Sequence, residues 1–139
     1  MGLRTVTSSE PTPAGKDPVT GEVLAAAIDV HRALGPGLLE SAHQACLEQE
    51  LSERGVPFQS QVDLPVEYKG RRMDCGYRLD FIVRDQVIVE IKAVESLAPI
   101  HEAQLLTYLR LSRIERGLLL NFNAAYLRNG VKRLVLSPS

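Results

Sequence analysis

Cysteine is scarce: Cys46 and Cys75 are the only two, they lie far apart, and they form no C-x-x-C pair. That excludes a disulfide scaffold and points to reduced, part-buried thiols in a cytosolic protein. The three histidines, His31, His43 and His101, show no ligand spacing with them, so zinc is not expected. A run of about 18 apolar residues is also missing, which argues against a transmembrane helix. No apolar h-region marks the start of the chain, so no secretory signal is expected. Neither sign of charge dominates: the formal net charge is −1 and the pI about 6.3. A protein that coats nucleic acid would be strongly basic, so any such contact has to come from a local patch. No P-loop, G-x-S-x-G or G-x-G-x-x-G is present, which argues against NTP hydrolysis, esterase chemistry and dinucleotide binding. There is no internal repeat.

What is present suits one soluble domain. The chain has 139 residues, 45% hydrophobic and 24% charged. A domain of this size buries enough surface to fold without disulfides or structural zinc. Residues 1–17 are rich in Ser, Thr, Pro and Gly and read as a flexible N-terminal tail, and residues 18–139 as the folded domain.

Asp17-Pro18 is a helix-start signal, a capping side chain followed by proline in the first turn. Val23, Leu24, Ala27, Ile28, His31 and Leu34 then recur at helical spacing until Gly35-Pro36-Gly37. His31 in that stripe reads as a satisfied core histidine. A second helix is predicted from about Leu38 to Arg54, closed by Gly55.

The period then changes to two. Phe58, Val62, Leu64, Val66 and Tyr68 alternate with polar residues in a half-buried strand, which Pro65 assigns to a sheet edge. Lys69-Gly70-Arg71 is a hairpin turn. The next strand is predicted to place Met73, Cys75, Tyr77, Leu79, Phe81 and Val83 on one face, with Asp74, Arg78 and Asp80 on the other. A turn at Arg84-Asp85-Gln86 leads to a strongly apolar strand, Val87 to Ala93. A helix from Pro99 to about Arg113, a buried strand at Gly117–Phe122 and a last strand at Val131–Leu136 complete the order. A three-strand meander followed by a helical crossover implies an α/β fold, a mixed sheet with helices against it.

Two acids interrupt apolar strands. Asp80 sits between Leu79 and Phe81, and Glu90 between Val89 and Ile91, with Lys92 two residues on. Glu90 and Lys92 share a face by strand geometry, and a hairpin puts Asp80 roughly opposite. Buried charges are costly unless they pair or bind metal. The chemical reading is a site for Mg²⁺ or Mn²⁺, with Asp80 and Glu90 as hard oxygen ligands and the main-chain carbonyl of Ile91 completing the set. Lys92 beside it could position or deprotonate a water and neutralise a developing oxyanion. The structural alternative is an ion pair on an amphipathic sheet.

Longer stretches resemble a known family. Gly37-Leu-Leu-Glu40-Ser-Ala-His43 matches the signature of the bacterial GxxExxY proteins except at its last position, where His stands for Tyr. The matching continues through Arg78-Leu-Asp80, Val87-Ile-Val-Glu90-Ile-Lys92-Ala93, Glu102-Ala-Gln104-Leu-Leu-Thr-Tyr108-Leu, Gly117-Leu-Leu-Leu-Asn-Phe122-Asn and Asn129-Gly130-Val-Lys-Arg133. These proteins look like members of the PD-(D/E)XK nuclease superfamily. The resemblance implies a restriction-endonuclease-like core, with Asp80, Glu90 and Lys92 as the superfamily's aspartate, acid and lysine.

Glu40 is nearly in line with Leu47 and Leu51, so helical geometry points it towards the apolar side with His43 nearby. It is a candidate third carboxylate, or else an acid favourable to the helix dipole. Gln104 and Tyr108, at i and i+4, are candidates to hold the site or the nucleic acid, as a Q-x-x-x-Y pair does in several superfamily nucleases. His43 and Arg110 join them as candidate substrate contacts. Arg110, Arg113, Arg116, Arg128, Lys132 and Arg133 together could face phosphates. The functional expectation is a metal-dependent phosphodiesterase acting on DNA or RNA in the cytoplasm. The competing readings are a non-catalytic nucleic-acid- or protein-binding module of the same fold, and a homo-oligomeric scaffold with a merely structural acidic cluster.

Overall fold

A computed structural model describes residues 3–8 and 17–138. One mixed sheet carries helices on both faces. The strands are β1 (Leu3–Ser8), β2 (Phe58–Asp63), β3 (Val66–Tyr68), β4 (Arg71–Met73), β5 (Arg78–Val83), β6 (Val87–Lys92), β7 (Arg116–Asn121) and β8 (Val131–Pro138). The helices are α1 (Pro18–Leu34), α2 (Glu40–Glu53) and α3 (Pro99–Ser112). The sheet order is β1-β8-β7-β6-β5-β2, and β3 and β4 form a separate two-stranded ribbon. Strands β6 and β7 are parallel and joined through α3, and the other pairs are antiparallel. This is the α/β, restriction-endonuclease-like architecture expected.

Helix α1 begins where the sequence predicts. The Asp17 carboxylate accepts from the Thr20 backbone N–H at 3.4 Å, and Pro18 occupies the first helical turn. Helices α1 and α2 cover one face with Val23, Ala27, Leu47 and Leu51, over Phe81, Val83, Val89, Ile91, Leu118 and Leu120. Helix α3 covers the other face with Leu105 and Leu109, over Ile82, Ile88, Leu119 and Leu134. Strands β6 and β7 are thus covered on both sides, so they read as apolar runs rather than alternating ones. His31 is the expected core histidine: its Nε2 lies 2.8 Å from the Ala124 carbonyl.

Five expectations are corrected. Residues 3–8, assigned to a flexible tail, form β1 against β8, while residues 1–2 and 9–16 of that tail lie outside the described residues. Without β1, the outer edge of β8 would present unpaired N–H and C=O groups. The strand predicted from Phe58 to Lys69 divides into β2 and β3 around Leu64-Pro65, because proline has no N–H for the ladder. Its placement at an edge is correct, since β2 ends the sheet.

The strand predicted from Met73 to Val83 divides as well. Gly76 has a φ of 77°, and Cys75 is exposed rather than part-buried. The faces also switch within β5. Leu79 packs with Ile82 and Ile88 on the α3 side, whereas Phe81 and Val83 pack under α1 and α2. The turn at Arg84-Asp85 is tight, with φ of 52° and 56°, as a primed hairpin turn requires. No helix among the described residues is long and apolar enough to cross a membrane.

The chain closes tightly between β7 and β8. A Cβ added at Gly130 would lie 2.6 Å from the Asn121 carbonyl oxygen and 3.0 Å from the Ala124 methyl group. Backbone cannot retreat as a side chain can. Gly130→Ala is therefore expected to cost about 1–3 kcal/mol, lowering Tm by roughly 5–10 °C in a thermal melt, and an unchanged melt would refute this packing.

Candidate active site

Ile88 on β6 faces α3, so Glu90 and Lys92, two and four residues on, face the same way. The β5–β6 ladder runs through Val83↔Val87, Ile82↔Ile88 and Phe81↔Val89. Its next step would pair Asp80 with Glu90. There side chains replace the backbone ladder: the Asp80 N–H donates to Glu90 Oε1 at 3.1 Å, and the Ile91 N–H donates to Asp80 Oδ2 at 2.8 Å. The two acids occupy the gap between the strands.

The other edge of Asp80 is equally irregular. Its register partner on β2, Gln61, has a φ of 51°, and the β2–β5 pairing passes from Ser60↔Phe81 to Val62↔Leu79. The Asp80 carbonyl instead accepts from Gln44 Nε2 on α2 at 3.3 Å. This break is where the faces of β5 switch. It lets one aspartate lie beside Glu90 while Leu79 and Phe81 stay buried on opposite sides.

Glu90 is 5% exposed. Burial first, and the neighbouring Asp80 carboxylate second, push its pKa up to about 8, while Lys92 opposes the shift. The Asp80 carboxylate beside Glu90 makes a second negative charge there unfavourable. Lys92 is half-buried, and its Nζ donates to Gln104 Oε1 at 3.2 Å. Tyr108, one turn further along α3, is buried with its ring 6.2 Å from that of Tyr77. Burial first and Glu90 second raise its phenol above the usual value.

The structure therefore brings together Asp80, Glu90, Lys92, Gln104 and Tyr108. Gln44 joins them without any sequence signal, because a glutamine on a helix says nothing about which distant carbonyl it meets. Three candidates have other surroundings. Glu40 is exposed at the first turn of α2, not turned to the apolar side. Leu38 and Leu39 just before it are exposed as well (41% and 78%). His43 is fully buried, stacked on Phe122 with centroids 4.5 Å apart, and its Nε2 lies 3.2 Å from the Gly35 carbonyl. It braces the loop between α1 and α2 and is closed to substrate. Arg110 is exposed beyond Tyr108 on α3, where its guanidinium donates to Thr107 Oγ1 at 3.2 Å.

The basic residues do not form one patch either. Arg116 pairs with Asp17 at 3.0 Å, and Arg128 lies over the Tyr126 ring.

The donor set fits a hard divalent cation. Two carboxyls meeting in one gap between the strands present oxygens to one point, and a cation there would offset their repulsion. The Ile91 carbonyl lies on the same edge of β6 as its N–H, which bonds Asp80. Among the described residues no group of three or more His, Cys, Asp or Glu forms, and the donors here are all oxygens, the ligand type that hard divalent cations take.

Comparison with curated proteins and with solved structures gives no match. A family model of the PD-(D/E)XK nuclease superfamily matches residues 17–134, which span every element from α1 into β8 and include the whole carboxylate–lysine cluster. With that match and this mixed, helix-flanked sheet, the chain belongs to the PD-(D/E)XK nuclease superfamily.

Proposed function

We propose that this protein is a phosphodiesterase that cuts nucleic acid with Mg²⁺ or Mn²⁺, and that it belongs to the GxxExxY branch of its superfamily. One observation carries the proposal: Asp80 and Glu90 meet in the gap between β5 and β6, with Lys92 on the same face as Glu90. Asp80, Glu90 and the Ile91 carbonyl would hold the cation. When bound, it would lower the pKa of a coordinated water and stabilise charge on the phosphate. Lys92, oriented by Gln104, would steer the attacking water and neutralise a phosphate oxygen. Tyr108 keeps its proton and can donate a hydrogen bond towards the substrate. The exposed free thiol of Cys75 suits the reducing cytoplasm.

The net charge of −1 favours one alternative, a non-catalytic binding module on the same fold. Purified protein incubated with linear DNA, circular DNA and RNA separates the two. Cutting with Mn²⁺ that stops in EDTA is expected. Intact substrate under all conditions would establish the binding module instead.

A further inference from the structure

The β3–β4 ribbon leaves the sheet after β2 and returns two residues before Asp80. Its register pairs Glu67 with Arg72, and Tyr68 with Arg71. Directly opposed residues share a face, so the ribbon has an Arg72 face and an Arg71 face. The Arg72 face is turned to α3. Between them lies an open groove of about 430 Å³, lined by Pro65, Glu67, Arg72, Arg110, Leu111 and Arg113. Three guanidinium groups thus face one carboxylate, in a chain whose overall charge is −1.

These cations are available. Arg110 and Arg113 are exposed, and Arg110 bonds only a neutral hydroxyl among the described residues. Arg72 reaches Asp74 at 3.4 Å, but both side chains are well exposed (69% and 83%), so that pair is weak. Arg113 ends α3 in a left-handed conformation with a φ of 63°, which turns the chain away after the last helical turn.

The groove also lines up with the carboxylate site. Both lie on the α3 side of the sheet, and α3 contributes to each. Gln104 holds Lys92, Tyr108 packs near Tyr77 where the ribbon rejoins the sheet, and Arg110 and Arg113 follow. At about 1.5 Å per residue, Arg110 and Arg113 stand roughly 9 and 14 Å from Gln104 along the helix axis. A nucleic-acid strand carries one phosphate per roughly 3.4 Å of duplex axis, so that distance spans about three or four phosphates.

We propose that the groove between the β3–β4 ribbon and the C-terminal end of α3 is a phosphate track. It grips the backbone of the strand being cut, a few nucleotides from the carboxylate site, and so sets where the scissile bond lies. The contacts proposed are to backbone phosphates, which carry no sequence information themselves. As the track for a strand to be cut, it rests on the nuclease reading above. Charge complementarity selects its occupant, since several guanidinium groups at spaced positions match a polyanion better than a single anion.

The test is equilibrium binding of a fluorescent single-stranded DNA of about 20 nucleotides in EDTA, followed by anisotropy across a salt series. The double variant Arg110→Ala/Arg113→Ala is expected to bind about 10-fold more weakly. Its log K against log salt should flatten by about 1.4, the value for two lost phosphate contacts to a single strand. Arg72→Ala is expected to give a smaller loss of the same kind, and Glu67→Gln a gain. Arg128→Ala, outside the groove against Tyr126, is the control for general loss of charge.

A double variant that binds as wild type does, or loses no more than Arg128→Ala, would overturn the track. So would a wild-type chain that binds polyglutamate as tightly as DNA through the same arginines, since the groove would then be a dock for acidic proteins. Binding is read without metal. A chain that binds through these arginines but never cuts upholds the grip and overturns only the nuclease reading.

Discussion

Lys92→Ala is expected to lower Mn²⁺-dependent cleavage by about 10³-fold while leaving the protein folded. The fold is spared because Lys92 is half-buried and makes one side-chain hydrogen bond, to Gln104. Activity is lost because the Lys92 ammonium stands on the same face of β6 as Glu90, where its charge acts on the site. Asp80→Ala should be at least as damaging to cleavage. Gln104→Ala should fall between wild type and Lys92→Ala, since the lysine keeps its charge and loses only its orientation. The measurement is single-turnover cleavage of a labelled strand, with circular dichroism to verify folding. Folded Lys92→Ala or Asp80→Ala protein that cuts at the wild-type rate would remove these residues from the chemistry.

Glu90→Gln is expected to stabilise the metal-free protein, increasingly so as pH rises from about 5 to 9. The sign follows from the raised pKa. Below the ordinary glutamate value of 4.5, folded and unfolded chains both hold the proton, and the residue contributes no pH dependence. Between 4.5 and about 8 the folded chain keeps a proton that the unfolded chain has released, so stability falls as pH rises. Above about 8 the folded chain is ionised too and the penalty is complete.

At about 1.4 kcal/mol per pKa unit, the penalty is on the order of a few kcal/mol. That is worth on the order of 10 °C in Tm for a domain of this size. Glutamine never ionises and can still accept from the Asp80 N–H, so the variant escapes the penalty. Melts at several pH values in EDTA check this. Mn²⁺ at pH 8–9 should raise the Tm of wild type and leave that of Glu90→Gln nearly unchanged, because a cation binds the ionised pair. If Glu90 and Lys92 form only a structural ion pair, the variant will instead be destabilised across the whole range.

Both predictions depend on a site whose parts differ in how visible they are in the sequence. The Val87–Lys92 strand is legible because apolar residues flank an acid and a base two positions apart, and strand geometry alone puts those on one side. The Arg84-Asp85-Gln86 turn is short enough to oblige β5 to run back along β6, which sets Asp80 near Glu90. The switch of faces at Asp80 is not legible. A strict period of two predicts Leu79, Phe81 and Val83 together, yet the left-handed Gln61 on the neighbouring strand breaks that period. Gln61 lies nineteen positions before Asp80 in the chain, so no local pattern carries its effect.

Glu40 and His43 fail for a related reason. Helical spacing gives the direction of a side chain about its helix axis, but not whether the sheet extends far enough to meet it. At Glu40 the side chain is exposed to solvent. At His43 the neighbour is Phe122, and the ring is sealed in the core. Gln44, one turn beyond Glu40, reaches the Asp80 carbonyl only because α2 packs where β2 and β5 part.

Taken alone, the sequence determined what depends on near neighbours: the helix starts, the tight turns, the apolar strands, and the pairing of Glu90 with Lys92. Tertiary structure decided what depends on register between remote segments. It turned Asp80 into the gap, gave Lys92 its glutamine, buried His43, paired β1 with β8, and set Arg72 of the ribbon across from α3. The physical reason is range. Backbone periodicity acts over a few residues, whereas burial and charge act between whichever groups the packed sheet brings close.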